Sequence, residues 1–432
     1  MTLDPLAQEP ARIPPILSFE DFERQALGMM SSPPAAIESE SAPQPDQAAA
    51  AAIGATPFSW LDCHNIPERE WIYGRTLIRR YVTVTVAPGG VGKSSLTIVE
   101  ALAMVSGRPL LHDAPAKQLR VWLWNGEDPK DELQRRIMAA ARLHGISRDE
   151  IGGLFVDSGL DCPIVLAKQT GSATTIVEPV QEKLVAELRG KRIDVIVIDP
   201  FVSSHEVPEN DNPAMDRVAK AWARVAARTG AAVHLIHHVR KTGGNEISID
   251  DARGGGALIN AARVGRVLNP MSTAEAERAG VEHRFRYVRI DDGKANLAPR
   301  AEKSAWVKIE SVPLMNGSQG GTGDSVGVVT AWEFPNPMDA VTVDHLRRAQ
   351  AAVNAGGPYR ENSQAADWVG LPIGRAMGLE VSPDGKLSKA DAAKVKAALA
   401  VWISNGMFEV YEAPDAKREK RKFVKVGEPA DD

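Results

Sequence analysis

The stretch 87–95 carries the strongest chemical signal in this chain. It reads Ala-Pro-Gly-Gly-Val-Gly-Lys-Ser-Ser and lies between a β-branched run, 81–86, and a helix-like run, 96–104. A glycine-rich turn lets backbone N–H groups point at phosphate oxygens, and the helix that follows adds the positive end of its dipole. The pattern predicts a triphosphate site in which Lys93 reaches the β- and γ-phosphates and Ser94 holds Mg²⁺. The residues expected to line it are Pro88, Gly89, Gly90, Val91, Gly92, Lys93, Ser94 and Ser95.

A carboxylate is expected at the same edge of the sheet. The apolar run 195–198 is followed directly by Asp199 and Pro200. An apolar strand that ends in Asp places a carboxylate where the ligands of open α/β sheets bind. Asp199 is therefore predicted to hold Mg²⁺, directly or through water, opposite Ser94. The predicted cofactors are ATP and Mg²⁺.

The stretch 125–129, Asn-Gly-Glu-Asp-Pro, follows another strand candidate. Hydrolysis of ATP needs a group that orients or deprotonates the attacking water. Glu127 is predicted to be that group, with Asp128 as its support and as a nucleotide-binding residue. Asp128 followed by Pro129 is also good helix-capping chemistry, and both roles can hold. Arg136 on the following helix faces either the nucleotide or the solvent.

Two adjacent histidines, His237 and His238, end a further strand candidate. One of them could sense the γ-phosphate through a hydrogen bond. Neighbouring residues of a strand point to opposite faces, so the two would not chelate one metal ion. A polar loop follows, and Arg240 and Lys241 at its root could contact DNA phosphates or the nucleotide of a neighbouring subunit.

Two arginines are candidates for stabilising transition-state charge. Arg253 precedes three glycines, and Arg263 lies ten positions further along. An arginine beside glycines can approach a phosphate closely, and it acts in trans if the active site lies between subunits. Arg253 is the first choice and Arg263 the second. A surface salt bridge is the alternative for either residue.

Composition places limits on the class of protein. The chain has 432 residues, 44% of them hydrophobic and 25% charged, which fits two or three globular domains. Its net charge is −5, so nucleic-acid contacts must come from local basic patches. Its two cysteines, Cys63 and Cys162, lie far apart, which argues against a disulfide framework or a zinc site and fits a reducing cytoplasm. We expect a cytoplasmic protein without a membrane segment or signal peptide.

The alternation of apolar and amphipathic runs predicts the domains. Residues 1–56 have a composition that cannot bury a core, and 16–22 is either a docking peptide or a frayed helix. Residues 57–315 are predicted to form an α/β domain with a mainly parallel twisted sheet, to which 284–311 adds antiparallel strands. The predicted strands of its parallel part are 81–87, 120–125, 153–157, 193–199 and 231–237, and the predicted helices are 94–106, 129–144, 176–190 and 213–229.

A second domain is predicted near the end of the chain. Residues 316–339 are expected to be a linker, 340–427 an α+β unit of the winged-helix type, and 428–432 a tail. The unit's predicted helices are 342–354, 363–369 and 388–404, and its predicted strands are 407–411 and 422–426. The turn between these strands is basic, and it would either bind DNA phosphates or stay solvated. Its cations are Lys417, Arg418, Lys420, Arg421 and Lys422.

Taken in order, these motifs resemble those of RecA-like P-loop ATPases related to the hexameric replicative helicases of the RepA type, including AAA-family ATPases of phages and mobile elements. The resemblance covers 58–310 and rests on the Gly-Lys-Ser stretch, Asn-Gly-Glu-Asp-Pro, Val-Ile-Asp-Pro, His-His-Val-Arg-Lys and Arg-Gly-Gly-Gly-Ala-Leu. It implies a RecA-like fold, a homo-oligomeric and typically hexameric ring with ATP between subunits, a catalytic glutamate at Glu127, a sensing histidine and an arginine finger. Two positions depart from the family pattern, Ala87 at the start of the loop and the glycines after Arg253.

The leading hypothesis is an ATP-driven motor on single-stranded or fork DNA, with other replication proteins as further partners of the N-terminal region. The resemblance places the loops 202–212 and 239–252 at the channel of the ring. The first loop is acidic, so phosphate contacts would fall on Arg240 and Lys241. A DNA-bound ATPase switch without motor activity and a recombination or repair filament are the alternatives.

Overall fold

The computed structural model describes residues 54–171, 173–239, 246–251, 255–336, 338–339, 341–415 and 417–430. The chain divides into two compact units, Met1–Pro67 and Glu68–Asp432. Of the first unit, 54–67 is described, and it is exposed throughout, including Phe58 and Trp60. The expectations for residues 1–53 lie outside the described residues.

The second unit begins with an α/β region. Its strands and helices, in chain order, are β1 (Trp71–Tyr73), β2 (Leu77–Ile78), β3 (Val82–Pro88), α1 (Lys93–Ser106), β4 (Val121–Asn125), α2 (Lys130–His144), β5 (Leu154–Ser158), β6 (Ala167–Thr170), β7 (Ala173–Ile176), α3 (Glu178–Gly190), β8 (Val195–Asp199), α4 (Asn212–Thr229), β9 (Ala232–Val239), α5 (Gly255–Ala261), β10 (Val264–Pro270), α6 (Thr273–Ala279), β11 (Tyr287–Ala295), β12 (Ala305–Pro313) and β13 (Ser325–Trp332). The helices and parallel strands predicted up to residue 239 agree with these bounds to within two residues.

The central sheet has nine strands in the order β13-β12-β11-β10-β3-β9-β8-β4-β5. Neighbours from β10 to β5 run parallel, and β11, β12 and β13 are added antiparallel. The parallel strands carry apolar side chains on both faces, as expected for a sheet covered on both sides. One face packs against α1 and α2, and the other packs against α3, α4 and α5. The prediction of a mixed α/β fold with a large, mostly parallel sheet is confirmed.

Local sequence accounts for the ends of these helices. The left-handed residue Gly92 precedes α1, and Gly107, also left-handed, ends it. The side chain of Asp211 accepts a hydrogen bond from the backbone of Ala214 and so caps α4, which ends at Gly230. Glycine tolerates the left-handed conformation that ends a helix, which explains why these helices stop where they do. Within the described residues, no helix has both the length and the apolar character needed to cross a bilayer.

The strand β13 lies inside the stretch 316–339 that was expected to be a linker. It pairs with β12 along its whole length. At the outer edge of this strand, the N–H of Val329 donates to the hydroxyl of Ser95 at 3.0 Å, and its carbonyl is 2.9 Å from Nε2 of His144. These two contacts attach the edge of the sheet to the first turn of α1 and to the end of α2.

The last part of the unit contains α7 (Val343–Asn354), β14 (Tyr359–Arg360), α8 (Gly370–Ala376), α9 (Lys389–Ser404), β15 (Phe408–Pro414) and β16 (Lys420–Val426). Its sheet has the order β14-β16-β15, and the three helices pack against it around a separate apolar core. The helix predicted at 363–369 is wrong. The side chain of Asn362 accepts from the N–H of Gln364 and the N–H of Val369 donates to Arg360, so turns form first and the helix begins at Gly370.

Candidate nucleotide-binding site

The glycine-rich loop connects the end of β3 to the start of α1. Gly90 and Gly92 have φ angles of 80° and 87°, which an L side chain rarely adopts. A Cβ added to Gly89 or Gly90 would meet no atom within 4 Å, so this part of the loop faces open space. A Cβ on Gly92 would lie 3.1 Å from the side chain of Ile309, so this end of the loop rests on β12. Val91 packs partly buried beside the core. The loop therefore has an open cradle for phosphates and a supported base.

The side chain of Lys93 is almost completely buried under this loop. Its Nζ donates a 2.7 Å hydrogen bond to the carbonyl of Pro88. Burial lowers the pKa of Lys93, and the nearby negative charges of Asp199 and Glu127 act in the opposite direction. The ammonium thus bonds the loop and lies close enough to Asp199 and Glu127, the groups that the sequence assigned to the metal and to the water, for their charges to act on it.

Ser94 and Asp199 meet at the predicted metal site. The hydroxyl of Ser94 donates to Oδ2 of Asp199 at 2.8 Å. The side chain of Asp199 is 8% exposed, and its Oδ1 is 3.8 Å from Nε2 of His238. Hydroxyl and carboxylate oxygens are ligands that Mg²⁺ takes together with phosphate oxygens and waters, so these residues fit the ion. They also line a cavity of about 20 Å³ between α1 and the sheet.

The two histidines occupy different faces of β9. His238 lies on the face that carries α1 and Asp199, and it is partly exposed. His237 lies on the other face, where its ring centroid is 6.2 Å from that of Phe201 and 1% of the residue is exposed. Neither ring nitrogen of His237 has a hydrogen-bond partner in the described part of the chain. Burial, with smaller contributions from His238, His205 and Lys93, lowers the pKa of His237 to about 4.

Glu127 is exposed in a turn at the carboxyl end of β4. The side-chain oxygen of Asn125 accepts the backbone N–H groups of Glu127 at 2.9 Å and of Asp128 at 2.7 Å. Asn125 was not among the predicted site residues. The signal that could have revealed it is an Asn at a strand end followed by Gly, since Asn commonly bonds the backbone two residues on. This turn lies beside Asp199, because β4 and β8 are neighbours.

Residues 45–244 match the family model of an AAA domain. The matched residues include the glycine-rich loop, the Glu127 turn, Asp199 and both histidines. Together with the mostly parallel sheet, the match supports an AAA-type P-loop ATPase that binds nucleotide and usually Mg²⁺. The strands β10 to β13 continue the sheet beyond the matched residues.

Asp128 and Arg136, two of the predicted nucleotide-binding residues, form an ion pair with each other. The carboxylate of Asp128 accepts from Arg136 at 2.8 and 3.3 Å, and the Nε of Arg136 donates to Glu132 at 2.9 Å. Asp128 does not cap α2, because Pro129 occupies the capping position and no side chain bonds there. The guanidinium of Arg136 is therefore held between two carboxylates, and its ion pair with Asp128 lies next to the Glu127 turn.

The remaining predicted residues fall into two groups. The hydroxyl of Ser95 bonds β13, so it is directed away from the mouth of the loop. Arg263 is exposed just before β10, where its N–H donates to the carbonyl of Val82. Since Val82 and Pro88 are the two ends of β3, about 20 Å separates Arg263 from the glycine-rich loop of the same chain. Arg240, Lys241 and Arg253 lie outside the described residues.

Proposed function

We propose that this protein is a ring-forming ATPase that couples ATP hydrolysis to movement along, or unwinding of, DNA, as a replicative helicase of a mobile element or prophage would. The observation that carries the hydrolytic part is the convergence of Lys93, Ser94, Asp199 and Glu127 at one edge of the sheet. The DNA part rests on the resemblance in motif order and on exposed cations.

Each residue of the site has a defined task in hydrolysis. The open backbone at Gly89 and Gly90 and the N-terminus of α1 would bind the phosphates. Lys93 would contact the β- and γ-phosphates, and Ser94 and Asp199 would hold Mg²⁺. The ion supplies neutralisation of the charge that develops on the transferred phosphoryl group. Glu127 would orient the attacking water and accept its proton.

His238 is the better of the two candidates for a γ-phosphate sensor. It shares the face of the sheet with Asp199, and its Nε2 lies 3.8 Å from that carboxylate. His237 is enclosed on the opposite face beside Phe201, so a hydrogen bond from its ring to a phosphate would need the strand to turn over. A histidine beside the metal-binding carboxylate can exchange hydrogen bonds when the γ-phosphate leaves.

The position of Arg263 supports assembly into a ring. This arginine lies at the amino edge of the sheet, and the glycine-rich loop lies at the carboxyl edge. A finger at the opposite edge can serve only a neighbouring copy, and head-to-tail contacts of this kind form rings when the rotation between copies closes. Arg253 remains the other candidate for this role. A hexamer is the proposed assembly.

Contacts of the loop 202–212 bear on which residues would bind DNA. The N–H of Glu206 donates to the carbonyl of Ala167, and its carboxylate pairs with Lys168 at 3.2 Å. This acidic loop is therefore fastened to β6 in its first half. Single-stranded DNA would accordingly be held through Arg240 and Lys241, which follow β9 in the sequence.

The hairpin of β15 and β16 offers a second nucleic-acid surface. Arg421 pairs with Asp415 and Glu419. Four other cations of this hairpin are exposed and have no ion pair within the described residues, and they are Lys417, Arg418, Lys420 and Lys422. Cations without a protein partner can bind DNA phosphates, and the release of counterions from the DNA favours this binding. We propose that this hairpin is the wing of a winged-helix domain.

A DNA-bound ATPase switch is the second candidate, and the packing of α9 favours it. A Cβ on Gly280, at the end of α6, would lie 2.5 Å from the Cβ of Ala390, so the two helices touch closely. Ala393 and Ala397 of α9 face a cleft of about 860 Å³ that Trp332 also lines. A change in the part of the α/β region that contains α6 and β13 would thus pass directly to the proposed DNA-binding unit. A recombination filament is the third candidate, without a contact that favours it.

The test combines ATP turnover, strand displacement and mass. Wild-type protein and Lys93→Ala are compared for hydrolysis with and without single-stranded DNA, for unwinding of a forked duplex, and for assembly with and without ATP. Stimulation by single strands with unwinding supports the motor. Duplex binding without unwinding supports the switch. Normal hydrolysis by Lys93→Ala, or a monomer that binds no adenine nucleotide, overturns both.

A further inference from the structure

The turn that carries Glu127 is hydrogen-bonded to the ends of the strands on both sides of β4. The N–H of Gly126 donates to the carbonyl of Asp199 at 2.9 Å. The hydroxyl of Ser158, at the end of β5, donates to the carbonyl of Asp128 at 2.7 Å. These bonds join the ends of three adjacent strands, β8, β4 and β5, at one point.

Asn125 lies at the centre of this arrangement. Asn125 is 7% exposed, and its side-chain oxygen accepts hydrogen bonds from two successive backbone N–H groups, those of Glu127 and Asp128. It also lines the small cavity that Ser94 and Asp199 border. The side-chain oxygen of Asn has two lone pairs and can accept from both N–H groups, which an aliphatic side chain of similar size cannot do.

The space around the turn leaves it little freedom. A Cβ on Gly126 would lie 2.2 Å from the Cβ of Ser203, and a Cβ on Gly159 would lie 2.8 Å from the Cα of Gly126. The residues that follow β5 and Asp199 thus pack so closely against the turn that no side chain fits at either glycine.

We propose that Asn125 is a positioning residue for hydrolysis, which sets the backbone of Glu127 relative to Ser94 and Asp199. This inference rests on the proposed role of Glu127 as the group that handles the attacking water. The rate of a reaction between held groups depends steeply on their placement, so the loss of the acceptor should lower turnover while the phosphate-binding loop stays intact.

The experiment compares full-length wild type with Asn125→Ala, Asn125→Asp, Glu127→Gln and the double variant Asn125→Ala/Glu127→Gln. Turnover is measured with radiolabelled ATP, which detects very slow hydrolysis, and binding is measured with a fluorescent ADP. Circular dichroism reports whether each variant folds. Ser158→Ala is the second probe of the same turn, and it serves in place of Asn125→Ala if that variant does not fold.

We expect Asn125→Ala to lower kcat by about 10- to 100-fold and to change the affinity for ADP by less than about 3-fold. Asn125→Asp retains an acceptor oxygen and should keep kcat within about 5-fold of wild type. The double variant should be no slower than Glu127→Gln, because residues that act through one group are not additive. Ser158→Ala should lower kcat by about 3- to 10-fold, again with no further loss on top of Glu127→Gln.

Two results would overturn this inference alone. One is a kcat for Asn125→Ala, or for Ser158→Ala in its place, within about 2-fold of wild type while Glu127→Gln is inactive. The other is a double variant slower than Glu127→Gln by the full factor of the second substitution, which indicates an independent structural effect. A Glu127→Gln variant that turns over at the wild-type rate would instead overturn the proposed role of Glu127 itself.

Discussion

The hydroxyl of Ser94 donates a 2.8 Å hydrogen bond to the carboxylate of Asp199, although 105 positions separate the two residues in the chain. Ser94 lies in the first turn of α1 and Asp199 at the end of β8, with β9 inserted between β8 and the strand that leads into α1. The parallel order of these strands places both groups at the same edge. The contact is the geometric basis of the proposed metal site.

The first prediction concerns Mg²⁺. Ser94→Ala and Asp199→Asn each remove a proposed ligand, so we expect the Mg²⁺ concentration for half-maximal ATP hydrolysis to rise at least about 10-fold. The matched control is Ser95→Ala, whose hydroxyl bonds Val329 and not the site. That variant should keep the Mg²⁺ dependence of wild type and lose about 1 kcal/mol of stability. Equal Mg²⁺ curves for all variants would contradict the site.

The second prediction separates the two histidines. His238→Ala should lower kcat by about 10-fold with little change in melting temperature, because the ring lies beside Asp199 and is partly exposed. His237→Leu replaces a buried ring that lacks hydrogen-bond partners, so it should keep kcat within about 2-fold. Steady-state kinetics and thermal melts of both variants provide the comparison. The reverse pattern would assign the sensor to His237.

The third prediction concerns stability against pH. Burial is the largest cause that lowers the pKa values of His205 and His237 from 6.5 to about 4 in the folded chain. The unfolded chain therefore binds more protons below pH 6.5, and the free energy of unfolding should be level above that pH and fall between about 6.5 and 4. Each histidine contributes a slope of up to about 1.4 kcal/mol per pH unit. Urea titrations at several pH values give the free energy of unfolding of wild type and of His237→Leu. The slopes of this free energy against pH should differ by the equivalent of about one proton, and identical slopes would contradict the burial of this ring.

The fourth prediction concerns a buried ion pair in the sheet. Both guanidinium ends of Arg266 donate to Glu100, at 2.6 and 3.0 Å, and both side chains are at most 5% exposed. Arg266→Met leaves a buried carboxylate unpaired, so we expect a loss of about 3–5 kcal/mol in chemical denaturation. The control is Lys425→Ala, which breaks a pair with Glu409 at 2.7 Å whose side chains are more than half exposed. That variant should lose less than about 1 kcal/mol.

The fifth prediction concerns the wing. Replacing all four unpaired cations of the hairpin by alanine should weaken duplex binding and lower the slope of log affinity against log salt concentration by about 3 to 4. The set is Lys417, Arg418, Lys420 and Lys422. Arg421→Ala is the single-site control, since Asp415 and Glu419 already hold that side chain. An unchanged slope would show that the hairpin does not bind phosphates.

The sequence predicted most of the α/β region because its signals are local. The strand that ends in Asp199 is a continuous apolar run, and helices such as α4 carry both a cap and a terminal glycine. Because parallel strands share their carboxyl edge, the meeting of Ser94 and Asp199 also followed from the order of the motifs. The choice between His237 and His238 did not, because it depends on which face of β9 carries α1.

The misses depend on side-chain and edge contacts that hydrophobic periodicity does not reveal. β13 follows a stretch rich in glycine and serine, 316–323, and it forms a strand through pairing with β12 and through the contact to Ser95. The carboxylate of Asp128 binds Arg136 of α2, eight positions further along, and does not cap the helix. The helix expected at 363–369 has apolar residues at suitable spacing, but the Asn362 side chain and the pairing to Arg360 stabilise turns there.

The contacts of Val329 have a consequence for self-association. An outermost strand with free N–H and C=O groups is a template onto which another chain can add. Here both backbone groups of Val329 are already bonded to the side chains of Ser95 and His144. At this residue the sheet cannot grow by accepting a foreign strand. The two bonds that join β13 to α1 and α2 therefore also block the addition of another strand at this position of the edge.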